Sequence, residues 1–176
     1  MSRLLLVTGP PGAGKSTVAR QAAGCFEPSA LVAGDEFFHF LVRGAIAPWL
    51  PEAHDQNETT TRASAAAAGA YVSGGLSTVF DGIVGPWHLH TFGAATGLAE
   101  LHYAILLPSA DRCAARVAAR ADHGFDDEAA TRHMHQEFSD AAIDERHVLR
   151  DPPDVVAEVL DELLARFHAG SLRIAL

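Results

Sequence analysis

Lysine is almost missing from this 176-residue chain: 12 of its 13 basic residues are arginines, and the one lysine is Lys15. With 22 acidic residues the formal net charge is −9, which weighs against a protein held to nucleic acid by clustered cations. Only two cysteines occur, Cys25 and Cys113, far apart and without metal-ligand spacing. That excludes a disulfide framework and fits a reduced, cytoplasmic protein. No apolar run approaches the roughly 20 residues that span a bilayer, and the first apolar segment leads straight into a glycine-rich loop rather than a cleavage site. The Asn57-Glu58-Thr59 sequon carries no weight in that setting. Hydrophobic residues make up 48% of the chain, enough to cover both faces of a sheet in one domain over 1–176.

Against these absences stands one dense motif. Leu4, Leu5, Leu6 and Val7 form an apolar run that breaks into Gly9-Pro10-Pro11-Gly12-Ala13-Gly14-Lys15-Ser16-Thr17, a G-x-x-x-x-G-K-S loop. Its glycines tolerate positive φ and leave backbone N–H groups clear to converge on phosphate oxygens. Lys15 adds a point charge for the β- and γ-phosphates, and Ser16 offers a hydroxyl for Mg²⁺. The helix that opens near Lys15 directs its positive end at the same anion. A chance glycine-rich turn would lack this context of strand before and helix after.

Further apolar runs predict strands over 30–34, 76–80, 101–107 and 147–149. Helices are expected over 15–23, 36–42, 58–72, 87–95, 110–121, 127–140 and 152–167. Strands alternating with helices imply a parallel sheet wrapped on both faces, with ligands beyond the carboxyl ends of the strands. The phosphate loop, Asp35 and Asp81 all fall there. Residues 44–55, with Pro48 and Pro51, form an irregular excursion near the same end. The alanine-rich stretch 63–70 reads as a close-packed helix, broken by Gly74-Gly75.

The loop, the Gly34-Asp35 and Phe80-Asp81-Gly82 strand endings, and an arginine-bearing segment after the fourth strand together resemble the small kinases of the P-loop superfamily. The branch resembled holds nucleoside monophosphate kinases, shikimate and gluconate kinases and chloramphenicol phosphotransferase. It implies a three-layer α/β/α fold with a five-stranded parallel sheet and a short helical lid, over about 121–136 in this chain. It also implies ATP as donor, Mg²⁺, and a small hydroxyl-bearing acceptor. In that resemblance Asp35 faces the acceptor hydroxyl and Asp81 the magnesium, with the two roles open to exchange. The rival readings are a helix cap for Asp35 and a turn residue for Asp81.

Arg112, Arg116 and Arg120 recur every four residues and share one side of a helix. That pattern suits a solvated face, or a clamp on the transferring phosphate by Arg116 and Arg120, with Arg132 as a third member. The resemblance pairs Arg112 with Pro152 or Pro153 around the base, whereas capping by Asp151 and a first-turn Pro152 would explain that segment as a helix entry. On the acceptor side Phe38, Arg43, Trp49 and Trp87 crowd the segments after the second and third strands. They point to a partly apolar pocket, with some of the aromatics as core. Few arginines there could hold a second phosphate. The H-x-H pairs at His88/His90 and His133/His135 point apart on a helix and make poor shared metal ligands.

The expected activity is ATP- and Mg²⁺-dependent phosphorylation of a small, partly apolar or aromatic metabolite or antibiotic. The alternatives are a nucleoside or nucleotide kinase, and a nucleotide-dependent regulatory ATPase or switch.

Overall fold

A computed structural model describes residues 3–119 and 127–176. Five parallel strands lie in the order β2 (Ser29–Ala33), β3 (Ser77–Asp81), β1 (Leu4–Thr8), β4 (Glu100–Leu107), β5 (Val148–Arg150). A sixth, β6 (Arg173–Ala175), pairs antiparallel with the start of β4, an addition to the five expected. At three residues it is too short to announce itself as a strand.

β1 is central and buried along its whole length, as a strand covered on both faces must be. Its side chains alternate between two cores. Leu4 and Leu6 join Phe80, Phe92, Tyr103 and Ile105 on one face, under α2 (His54–Ser73), α3 (Pro86–Thr96) and α5 (Glu128–Asp140). Leu5 and Val7 join Val18, Ala22, Leu163 and Phe167 on the other, under α1 (Lys15–Ala23) and α6 (Val156–Ala169). The alanine-rich segment works as expected: a Cβ on Gly69 would run into the backbone of Thr96, so α2 and α3 touch almost main chain to main chain.

Several boundaries differ from the sequence expectation. The helix expected over 36–42 is instead a 3-10 helix, Gly34–Phe40, which ends where Leu41 turns extended. Asp35 therefore does not act as a side-chain N-cap. α2 starts at His54, earlier than expected, after a 3-10 turn led by Pro51. α4 (Ala110–Ala118) stops before 121. α6 begins at Val156, so Asp151 and Pro152 are not its entry; Asp151 sits at φ 40° in a turn that precedes it. Of the lid expected over 121–136, residues 120–126 lie outside the described part. Residues 128–136 belong to α5, capped by Asp127, whose side chain accepts from the Ala130 amide at 2.9 Å. α5 is packed down: Phe138 is buried and His135 bonds the Pro108 carbonyl at 2.8 Å.

One buried polar side chain is anomalous. His102 on β4 is 1% exposed, its ring lies 4.2 Å from that of Phe167, and neither ring nitrogen has a hydrogen-bond partner. Burial, with Arg3, Arg173 and His168 nearby, pulls its pKa down to about 4. Among the described residues no helix is long and apolar enough to cross a membrane.

Candidate active site

The loop between β1 and α1 has the backbone its glycines foretell. Gly9, Gly12 and Gly14 sit at φ 144°, 78° and 93°, and Gly14 leads directly into α1. A Cβ on Gly9 would strike the Leu106 carbonyl, and one on Gly12 the backbone of Cys113. The loop is thus wedged against β4 and α4, which fixes its amides in place. Lys15 is buried at the first turn, with its Nζ donating to the Pro10 carbonyl at 3.1 Å. Ser16 and Thr17 face outward beside it.

Asp81, at the end of β3, comes next to this loop because β3 pairs with β1 through Val7↔Asp81. Its carboxyl is buried and its Oδ1 has no hydrogen-bond partner. Burial raises its pKa, held back by the Ser16 hydroxyl and the Lys15 charge, and pushed further by the carboxylate of Asp35. Asp35 itself is exposed at the start of the turn after β2, one strand away. Lys15, Ser16, Asp35 and Asp81 therefore share one place. A buried carboxylate oxygen without a partner, next to a hydroxyl, is an oxygen donor set suited to a hard divalent cation such as Mg²⁺.

The β3–α3 connection is pinned over the same crevice. Val84 donates its amide to Thr8 Oγ1 at 2.9 Å and accepts the Tyr103 hydroxyl at 2.8 Å. Both Thr8 and Tyr103 were invisible as positioning residues because in sequence they look like ordinary strand positions.

On the other side of the loop lies a cleft of about 340 Å³ between Gly14, Thr17, Val18, Leu106, Pro152 and Val156. The arginine row borders it. Arg116 donates to the Gly12 carbonyl at 3.4 Å and pairs with Asp154 at 2.9 Å. Arg112 donates to the Pro152 carbonyl at 2.5 Å and faces Asp154 at 3.7 Å. Arg112 and Pro152 are brought together as expected. Asp154 was not expected, since only the tertiary fold places this loop carboxylate against α4. Arg120 lies outside the described residues. Arg132 turns away, to Asp111 and Glu128, both at 2.9 Å, and ties α5 to α4.

The acceptor-side residues are more open. Phe38 is half-buried, Arg43 is exposed, and Trp49 and Trp87 are 45% and 42% exposed. Trp87 packs on Phe138 of α5 with ring centroids 5.1 Å apart. The excursion carrying Trp49 is fastened to α2 by Gln56, which bonds both the amide and the carbonyl of Ile46 at 2.8 and 2.7 Å. Asn57 adds a bond to the Pro48 carbonyl at 2.7 Å.

A central parallel sheet in the order found, with a glycine-rich phosphate loop at the carboxyl end of its middle strand, defines a P-loop fold of the kinase type. The chain belongs to the AAA domain family, whose model matches residues 4–142. A sugar kinase from Janibacter sp. HTCC2649 is similar in structure at 17% identity, with 96% of this chain and 95% of that one covered and a TM-score of 0.74. A gluconokinase from Sinorhizobium meliloti 1021 is also 17% identical, covering 97% and 93%, at a TM-score of 0.65. A tunicamycin resistance protein of Deinococcus radiodurans is 14% identical, covering 95% and 96%, at 0.66. No curated protein matches the sequence significantly. At these identities the likeness is one of fold.

Proposed function

We propose that this protein is a single-domain kinase that transfers the γ-phosphate of ATP to a hydroxyl of a small, partly apolar or aromatic molecule. The observation that carries this reading is the two-sided crevice around the phosphate loop. A cleft lies on one side, at Pro152 and Val156, and the exposed Asp35, near the buried Asp81, lies on the other. A switch needs only the first side; a transferase needs both.

In this reading the loop amides and Lys15 hold the β- and γ-phosphates, and the base enters the cleft beside Arg112 and Pro152. Ser16 and Asp81 would hold Mg²⁺, which when bound neutralises charge on the phosphate oxygens. Asp35 accepts the hydroxyl proton or orients the hydroxyl, and because Asp81 is the more buried of the two carboxylates it is the poorer partner for an incoming alcohol. Arg116, held over Gly12, is the side chain positioned to meet charge spreading over the transferring group, a contact for which a planar guanidinium is well suited. Fold relatives named for sugar, gluconate and an antibiotic make small hydroxylated acceptors a coherent class to test.

The test is a screen of hydroxylated metabolites and antibiotics for alcohol-dependent ADP formation, repeated with Lys15→Ala and Asp35→Asn. Lys15→Ala should abolish nucleotide use. Asp35→Asn should retain nucleotide binding and lose most acceptor-dependent turnover. Unchanged turnover in Asp35→Asn removes that residue from the mechanism.

A further inference from the structure

Resting on the nucleotide half of the kinase reading, we propose that Asp154 is a resident anion of the cleft: its carboxylate competes with nucleotide phosphate for Arg116 and so holds nucleotide affinity down. A carboxylate is out of place in a cleft for a polyanion. Among the described residues only two charged side chains line that cleft, Arg116 and Asp154, and they are paired with each other at 2.9 Å. Most of the remaining wall is apolar, from Val18 and Leu106 to Pro152, Pro153 and Val156.

The guanidinium of Arg116 lies across the phosphate loop. Its Nη1 donates to the Gly12 carbonyl at 3.4 Å and stands 3.7 Å from where a Cβ on Gly14 would be, so it spans two of the loop's positive-φ glycines. Nη2, the other end of the same fork, donates to Asp154 Oδ1. A guanidinium binds an oxyanion best through two parallel N–H donors, so the nitrogen given to Asp154 is one that a phosphate needs for a two-point contact. Arg112 has less part in this exchange. It donates to the Pro152 carbonyl, and its Nε stands 3.7 Å from the same Asp154 oxygen.

Asp154 can release its partner at little cost. Its side chain is 74% exposed, so water meets the carboxylate when the arginine turns to another anion. It lies between Asp151, at φ 40°, and the start of α6 at Val156, where the N-cap is Val155 and no side chain caps the helix. Helix capping therefore does not hold it. An ion pair this exposed shifts the affinity of a competing anion by a few-fold rather than by orders of magnitude. Arg116 accordingly adds little to the binding of nucleotide, since the phosphate gains a contact that Asp154 loses.

Isothermal titration calorimetry with Mg²⁺ and β,γ-imido-ATP, a triphosphate that resists hydrolysis, tests this on four forms of the full chain: wild type, Asp154→Asn, Arg116→Ala and the double variant. Asp154→Asn should bind about three- to fivefold tighter than wild type. In the Arg116→Ala background the same substitution should change affinity by less than about twofold. That coupling separates competition from plain repulsion, because an acid that merely repelled the triphosphate would give the same gain with or without Arg116. An equal gain in both backgrounds overturns the proposal. So does unchanged or weaker binding by Asp154→Asn, the result expected of a carboxylate that holds Arg116 in place for phosphate. Either result, with wild type binding the triphosphate, leaves the kinase reading standing. No binding by wild type, or equal binding by Lys15→Ala, overturns the nucleotide reading and this proposal with it.

Discussion

His102 makes the stability of this protein depend on pH in a way that can be calculated. Its ring is sealed between β4 and α6 against Phe167, with both nitrogens unpaired, so the folded state holds it neutral. In the unfolded chain it titrates near 6.5, and in the fold at about 4. The folded pKa is the lower one, so the unfolded state binds the extra proton as pH falls through that window. Stability is unaffected above 6.5 and declines below it. Between pH 8 and pH 5 the single-site loss works out at about 2 kcal/mol, and it reaches about 3 kcal/mol near pH 4. For a chain of this size, about 2 kcal/mol moves a urea midpoint by roughly 1 M. The neighbouring Arg3, Arg173 and His168 disfavour protonation of the ring and so act in the same direction as burial. His88 and His147, whose pKa values burial also lowers, add to the wild-type slope. The contribution of His102 is therefore the difference between wild type and His102→Phe, or His102→Leu if the larger ring does not fit. Urea unfolding at pH 8, 7, 6 and 5 should show the variant losing about 2 kcal/mol less than wild type across the range, whatever its stability at pH 8. Parallel slopes in wild type and variant would refute the reasoning.

Three further outcomes follow from particular contacts. Gly69→Ala forces a methyl into the Thr96 backbone, so it should destabilise by about 2 kcal/mol in urea unfolding, although it improves local helix propensity. Asp81→Asn removes the charge of the buried carboxylate beside Ser16, one oxygen of which has no partner. It should cut metal-dependent turnover by about 100-fold while leaving metal-free nucleotide binding, followed by calorimetry, within a few-fold of wild type. Arg116→Ala should lower kcat by about 10²–10³ with a much smaller change in nucleotide KM, the split expected of a group acting on the transition state.

The phosphate loop was readable from sequence because its pattern is local. Gly9, Gly12, Gly14, Lys15 and Ser16 are contiguous, and the positive φ values at the three glycines are what that spacing requires. The sheet was readable for a related reason: strands buried on both faces are written as apolar runs, as in β1 and β4. What failed was set by tertiary partners. β6 is three residues long and is a strand only because the start of β4 offers it an edge. The segment after β2 has Phe37, Phe40 and Leu41 at helical spacing, yet it is a 3-10 helix that ends at an extended Leu41, a distinction that apolar spacing does not make. Asp154 stands 38 residues from Arg116 in the chain, and no periodicity links them. The run from Asp151 to Asp154 looks like a helix entry, and becomes the wall of the cleft because Asp151 turns at φ 40° and α6 starts later. The side proposed for the acceptor was legible only as composition, because its aromatics come from the segment after β2, the excursion and α3 rather than from one motif.

The most direct test of the two-substrate crevice follows the γ-phosphorus itself. Phosphorus NMR of the protein with ATP and Mg²⁺ should show slow hydrolysis alone. With an alcohol found in the screen, the γ-phosphorus should pass into a phosphate monoester, with one ADP formed per ester. Release of the γ-phosphate solely as inorganic phosphate, at a rate that no alcohol alters, would contradict the account.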